Sequence, residues 1–261
     1  MSTILQSKFE RLVVQSQAPV ARIALRNPPV NVIDLRAMDE VTQALSELDA
    51  NPEIAVVLLS GEGASFSAGV DVAAHTPDQV AAMLSKFHSV IRALIASRKV
   101  AVAAVHGNCL GGGAELAMVC DMVYTTASAR WGFPEIRLGC YPPVACAALS
   151  TLVGQKRAAE LILTGRTISG TEAVAMGLAN QAVDDQELIP AVELVLNGLS
   201  KLSPAALAIT KKALYTWDAM HFDKGLARAE KIYLEELMQT SDAREGIAAF
   251  VAKRSPKWTG K

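Results

Sequence analysis

Two hydrophobic rhythms alternate along the first 140 residues. Val20–Leu25, Ile54–Leu59 and Val100–Val105 are short, β-branched apolar runs bounded by Pro, Gly or charge, which reads as strand. Between them, Leu35, Met38, Val41, Leu45 and Leu48 recur at three- and four-residue steps, as do Val80, Met83, Leu84, Phe87, Ile91 and Ile95. That spacing places each set on one face of a helix, over Leu35–Leu48 and Val80–Ile95. Strands separated by helices imply an α/β fold with crossover connections. From about Pro143 the pattern turns almost wholly helical. Helices are expected at Val144–Leu152, Arg157–Leu163, Gly170–Met176, Gln186–Leu199, Pro204–Tyr215, Phe222–Met238 and Asp242–Lys253, with one strand near Asn180–Val183.

A length of 261 residues suits one large domain, or a core with a smaller appendage. Residues 1–203 are expected to form the core, and 204–261 a helical region that packs on a neighbouring subunit. A chain this long needs neither disulfide nor metal to hold it. Its formal charge of −1 leaves no global field for holding nucleic acid or an anionic membrane. Val100–Tyr124, the most apolar stretch, is interrupted by His106, Asn108, Glu115 and Asp121, so a membrane span is not expected. The four cysteines show no zinc spacing, and the four histidines no metal-binding pair. No metal site is expected, and the cysteines read as the reduced, mostly buried residues of a cytoplasmic protein.

Three segments carry candidate chemistry. In Val100–Glu115 an apolar strand runs through a polar turn into Gly111-Gly112-Gly113 and then a helix-like stretch. Glycines at a helix start leave backbone N–H groups unshielded, able to stabilise negative charge, and Glu115 lies on the next turn. A tight turn with a solvent-facing glutamate is the plainer alternative. In Ser65–Asp71 small residues follow a strand and could present a second N–H; two donors on one oxygen make an oxyanion hole. An ordinary turn capped by Asp71 is the alternative. In Trp131–Gly139, Glu135 follows Pro134 in an apolar setting that would raise its pKa; otherwise it is simply a helix-start glutamate. Phosphate-loop, dinucleotide and nucleophile-elbow motifs are missing.

Taken together these blocks resemble the crotonase (enoyl-CoA hydratase/isomerase) superfamily. The likeness rests on Asn27-Pro28-Pro29-Val30-Asn31, Phe66–Asp71, His106-Gly107 with Gly111–Glu115, Pro134-Glu135 with Leu138-Gly139, and Leu163-Thr164-Gly165 with Glu172-Ala173 and Gly177-Leu178. It implies an α/β spiral of ββα units with a C-terminal helical region, assembled as a homotrimer or homohexamer. It implies an acyl-CoA substrate, coenzyme A being part of that substrate, and no separate cofactor. By motif, the N–H groups of Ala68 and Gly112 would hold the thioester oxygen, and Glu115 and Glu135 would be the catalytic pair. Asn27, Pro29, Val30, Ala68, Gly69, Val70 and Asp71 would line the CoA channel, with Gly111, Pro134 and Pro143 beside the substrate. Phe250 and Lys253 match a pair that contacts the CoA adenine and phosphate end in relatives; a helix-end cation is the alternative for Lys253.

The resemblance implies hydration of a conjugated enoyl-CoA, with one carboxylate taking a proton from water and the other supplying one to the carbon skeleton. One departure stands out. Cys140-Tyr141-Pro142-Pro143-Val144-Ala145 replaces a Pro-Gly-rich turn, so Pro143 stands where glycine is expected and adds bulk beside the acyl pocket. That stretch, Asn27–Ile33, Gly69–Val72 and His75-Thr76-Pro77 are similar to the cyclohexa-1,5-diene-1-carbonyl-CoA hydratases, which add water to a cyclic dienoyl-CoA. Three other functions stay open: a double-bond isomerase, a non-catalytic acyl-CoA- or RNA-binding relative, and a thioesterase acting through Ser67.

Overall fold

A computed structural model describes residues 3–4 and 8–260, leaving out the side chains of residues 3–4 and 216–220. Among the described residues ten strands form two sheets. The large sheet runs in the order β1 (Thr3–Ile4), β2 (Leu12–Gln17), β3 (Val20–Leu25), β4 (Val56–Gly61), β5 (Val100–Val105), β7 (Met122–Thr126) and β10 (Gln181–Val183). From β3 onward every pairing is parallel, while β1, β2 and β3 pair antiparallel. A small sheet joins β6 (Asn108–Leu110), β8 (Arg130–Gly132) and β9 (Thr167–Ser169). The described residues also form nine α-helices: α1 (Leu35–Ala50), α2 (Val80–Ala96), α3 (Gly112–Met118), α4 (Pro143–Val153), α5 (Gln155–Thr164), α6 (Gly170–Met176), α7 (Leu188–Leu199), α8 (Pro204–Glu235) and α9 (Ser241–Val251).

Burial on both faces explains why the central strands read as unbroken apolar runs. Val56 and Leu58 of β4, with Val100, Val102 and Ala104 of β5, pack against Leu188, Val192 and Leu196 of α7. Their alternating neighbours Val57, Leu59, Ala101, Ala103 and Val105 join the larger core beneath α1 and α2. The three predicted strands and the two helices between them are present, Ile54–Leu59 being shifted to Val56–Gly61. The short strands β6, β8 and β9 carry no periodic signal over three residues each, and sequence pattern missed them.

The C-terminal part differs from expectation in one element. The expected helices Pro204–Tyr215 and Phe222–Met238 are one 32-residue helix, α8, followed by a 3-10 turn at Leu237–Gln239. No Pro or Gly stands between Tyr215 and Phe222, so nothing in the backbone ends the helix there. Ser203 and Thr240 cap α8 and α9, accepting from Ala206 N at 3.3 Å and Ala243 N at 3.1 Å. Lys211 pins α8 to the sheet from a nearly buried position: its Nζ meets Asp121 Oδ2 at 2.8 Å and donates to Lys99 O at 2.9 Å. α8 also packs along α4. No single helix among the described residues is long and apolar enough to cross a membrane.

Candidate active site

Two loops separated by some forty residues are laid side by side by main-chain hydrogen bonds. Ser67 N donates to Asn108 O at 2.9 Å and Leu110 N to Ser67 O at 3.0 Å, so the segment after β4 pairs with β6. Gly111 then turns the chain into α3 at φ 51°, ψ −128°, a conformation an L side chain resists. A Cβ there would also stand 2.5 Å from Glu135 Oε1. Gly112 is bare for a different reason: a Cβ would meet Val70 Cγ2 at 2.5 Å and Phe87 Cζ at 3.2 Å.

This close approach corrects the expected donor pair. Ala68 N–H is given to Val30 O at 2.9 Å, and Gly69 N–H to Ser67 Oγ at 3.1 Å. Asp71 N–H goes to Ile33 O at 3.2 Å. The N–H groups of Val70 and Gly112 carry no hydrogen bond among the described residues. They are neighbours, since a Cβ on Gly112 would lie 3.4 Å from Val70 N. The Ala68 amide is spent on Val30, so Val70 presents the free donor and Ala68 does not.

Both N–H groups belong to residues lining a cavity of about 460 Å³, and Glu115 and Glu135 line it too. Glu115 is 3% exposed. Its Oε1 accepts from Ala145 N at 2.9 Å, in the first turn of α4, where unshielded N–H groups and the helix dipole favour a carboxylate. Burial nevertheless raises its pKa to about 7, against the N–H groups of Ala145 and Val144, which lower it. Glu135 lies in the 3-10 turn Pro134–Leu138, which Gly139 closes in the left-handed region. Flanking Trp131 and Phe133 are fully buried. Glu135 Oε2 is buried with no hydrogen-bond partner among the described residues. Burial, then the charge of Glu115, push its pKa well above the ordinary carboxylate value. Two carboxyl groups in one apolar cavity cannot both ionise near neutrality, so one holds a proton while the other can take one.

Of the other expected residues, Ala68, Gly69, Val70, Gly111, Pro134, Pro143 and Phe250 also line the cavity. Pro143 is the first residue of α4, where its missing N–H costs nothing. Asn27, Pro29, Val30, Asp71 and Lys253 are not on the cavity wall. Asn27 N–H donates to Asn31 Oδ1 at 2.9 Å and its Nδ2 to Val32 O at 2.8 Å, which ties a turn together. Pro29 belongs to that turn, within a cis Pro28-Pro29 bond. Val30 supplies the carbonyl that takes the Ala68 amide. Asp71 caps the 3-10 turn Val72–His75 through Ala73 N at 3.0 Å. Lys253 ends α9 at φ 51° and is exposed; Arg254 takes the place expected of it on the wall. Ser67 is fully buried, its Oγ donating to Asn31 O at 2.7 Å, so the hydroxyl expected of a thioesterase nucleophile serves the loop.

The residues 15–261 match the family described as Enoyl-CoA hydratase/isomerase. The chain belongs to the enoyl-CoA hydratase/isomerase family. It is 35% identical over 248 residues to a cyclohexa-1,5-dienecarbonyl-CoA hydratase of Thauera aromatica, covering 95% of this chain and 96% of that one. It is 34% identical over 260 residues to echA8, a probable enoyl-CoA hydratase of Mycobacterium leprae, covering 97% and 99%. A crystal structure of an enoyl-CoA hydratase from Mycobacterium avium subsp. paratuberculosis K-10 superposes with a TM-score of 0.87 at 26% identity, over 96% of this chain and 99% of that one. An enoyl-CoA hydratase/isomerase from Xanthobacter autotrophicus Py2 superposes at 0.85 and 28% identity, over 95% and 98%. The α/β spiral expected from sequence is thus the fold of this family.

Sequence reasoning did not single out Phe87, Arg137, Tyr141, Tyr233 or Arg254, all of which line the family member's cavity. Tyr141 had a local signal, standing next to Pro142-Pro143. Tyr233 had none, because only the packing of α8 on α4 brings it there.

Proposed function

We propose that this chain hydrates a conjugated enoyl-CoA thioester. The observation that carries the reading is the cavity itself: two buried carboxyl groups of raised pKa beside two unpaired, adjacent backbone N–H groups. Val70 and Gly112 donate to the thioester oxygen, stabilising the enolate charge that develops when water adds; one such donor is worth about 2.7–4 kcal/mol of barrier. Glu115, the less strongly raised of the pair, is the base that removes the proton from water. Glu135 keeps its proton longer and delivers it to the carbon skeleton. The proton removed and the proton delivered balance, and Glu115 and Glu135 regain their starting states by exchange with solvent.

A compact cyclic dienoyl thioester is the favoured acyl group. Support comes from Pro142-Pro143 and the Tyr141–Tyr233 pair on the cavity wall, which fill space a straight chain would use, and from the likeness to the Thauera aromatica hydratase. The test is a panel of straight-chain, branched and cyclic enoyl- and dienoyl-CoA thioesters, read by mass for gain of one water. Hydration with strong preference for the cyclic dienoyl substrate is expected. Migration of the double bond without water gain would instead make the chain an isomerase, and release of free CoA a thioesterase. Glu115→Gln and Glu135→Gln should each lose at least ~10²-fold in turnover while still binding acyl-CoA.

A further inference from the structure

The cavity wall holds a second polar atom that the chain itself leaves unsatisfied. Tyr233 Oη and Glu135 Oε2 are both buried without a hydrogen-bond partner among the described residues. Tyr233 is 1% exposed and projects from α8 into the same cavity as Glu135. Its ring is held in place: Tyr141 packs edge-on against it, with centroids 5.1 Å apart and planes at 67°. Tyr141 is in turn tied to α8 one turn earlier, donating from Oη to Ala229 O at 2.5 Å. The nearby Cys140 thiol is directed to Leu138 O at 3.6 Å and offers the phenol only a weak sulfur partner.

An unsatisfied buried hydroxyl costs about 1–3 kcal/mol, which a tyrosine core position could avoid as phenylalanine. Burial and the neighbouring Cys140 and Glu135 raise the pKa of this phenol well above its ordinary value, so it stays a neutral O–H donor. The thioester oxygen already has Val70 and Gly112. The reaction involves one further oxygen, that of the water.

We infer that Tyr233 is a third group of the water-handling site, its hydroxyl bonding the oxygen that enters as water and leaves as the product hydroxyl. This rests on the hydratase reading. A hydroxyl has one donor and two lone pairs. It can accept from Tyr233 while donating to Glu135 once that group has given up its proton, so one ligand oxygen satisfies both orphaned atoms. Tyr233 thereby sets where on the acyl group water is delivered, and favours hydroxylated over unsubstituted acyl groups.

Tyr233→Phe tests this, keeping the ring and its contact with Tyr141 and removing only the oxygen. Binding of 3-hydroxybutyryl-CoA and of butyryl-CoA is measured by calorimetry for both proteins. The wild type is expected to prefer the hydroxylated ligand. The variant should lose about five- to tenfold of that preference, the scale of one hydrogen bond, with butyryl-CoA affinity unchanged. Its melting temperature should equal or exceed that of the wild type, because the buried orphan is gone. An unchanged preference, no preference in the wild type, or equal losses for both ligands would overturn the inference. The hydratase reading fails separately, by no enoyl-CoA in the panel gaining water even where the hydroxyl preference is seen.

Discussion

The Ala145 N–H donates to Glu115 Oε1 at 2.9 Å, which seats a carboxylate from one helix on the first turn of another. The bond holds Glu115 in one orientation and restrains, without cancelling, the rise in its pKa caused by burial. Glu115 therefore changes charge at about pH 7, where an ordinary glutamate is already fully ionised.

The pH–rate profile follows. A base must be ionised to act, so kcat/KM for hydration should climb as pH rises through about 7. It should fall again at higher pH, where Glu135 loses the proton it must deliver. The two limbs belong to the pair and should shift together when either carboxyl is replaced. A profile that stays flat as pH rises through about 7 would remove Glu115 from the role of base.

Stability should move the opposite way with pH. Unfolded, Glu115 ionises near the ordinary glutamate value of 4.5; folded, it holds its proton to about 7. The folded chain binds more protons across that interval, so the contribution is complete below pH 4.5 and is lost as pH rises through 7. The loss is on the order of 3 kcal/mol. Glu115→Gln, which keeps an acceptor for Ala145, should flatten that part of the denaturation curve and be the more stable protein at pH 8. Equal slopes from pH 5 to 8 in the two proteins would argue against a buried titrating Glu115.

Gly112→Ala places a methyl group within 2.5 Å of Val70 Cγ2 and 3.2 Å of Phe87 Cζ. Relief requires the Val70 and Phe87 side chains to turn away or the loops to give, and the methyl group stands 3.4 Å from Val70 N, beside the second donor. The variant should lose about 1–3 kcal/mol of stability, and its turnover should fall more than its affinity for acyl-CoA. Chemical denaturation alongside steady-state kinetics checks both. Turnover at the wild-type level would dissociate this approach from the reaction.

The Lys211–Asp121 pair is buried, at 7% and 11% side-chain exposure. Asp121 also accepts from Ala101 N at 2.7 Å, so the pair links α8 to the end of the sheet. Lys211→Ala leaves Asp121 buried without its cation and should cost about 3–5 kcal/mol. Lys211→Met with Asp121→Asn should recover part of that loss. Urea unfolding of the wild type and both variants measures it, and a loss below about 1 kcal/mol would mean the pair behaves as a surface ion pair.

Much of this architecture was readable because it rests on local rules. Burial on two faces makes Val56–Leu59 and Val100–Val105 continuously apolar, and the helix period marks α1 and α2. The blocks around Gly111–Glu115 and Pro134-Glu135 also located both carboxyls that meet in the cavity. The free amide was not readable. Ala68 and Val70 flank Gly69 in one short segment, and which one keeps an unpaired N–H depends on Val30 O capturing Ala68 from a distant turn.

By itself, then, the sequence determined the central strands β3, β4 and β5, the helix faces, the glycines that let backbones approach, and the two acids. Each follows from residue type and spacing along the chain. Tertiary structure alone decided that Val70 rather than Ala68 presents its N–H, that Glu115 meets the first turn of α4, and that Tyr233 joins Glu135. Those relationships join segments up to a hundred or so residues apart in the chain, and only the packing of α3, α4 and α8 around one cavity sets which polar atoms are satisfied and which are left for a ligand.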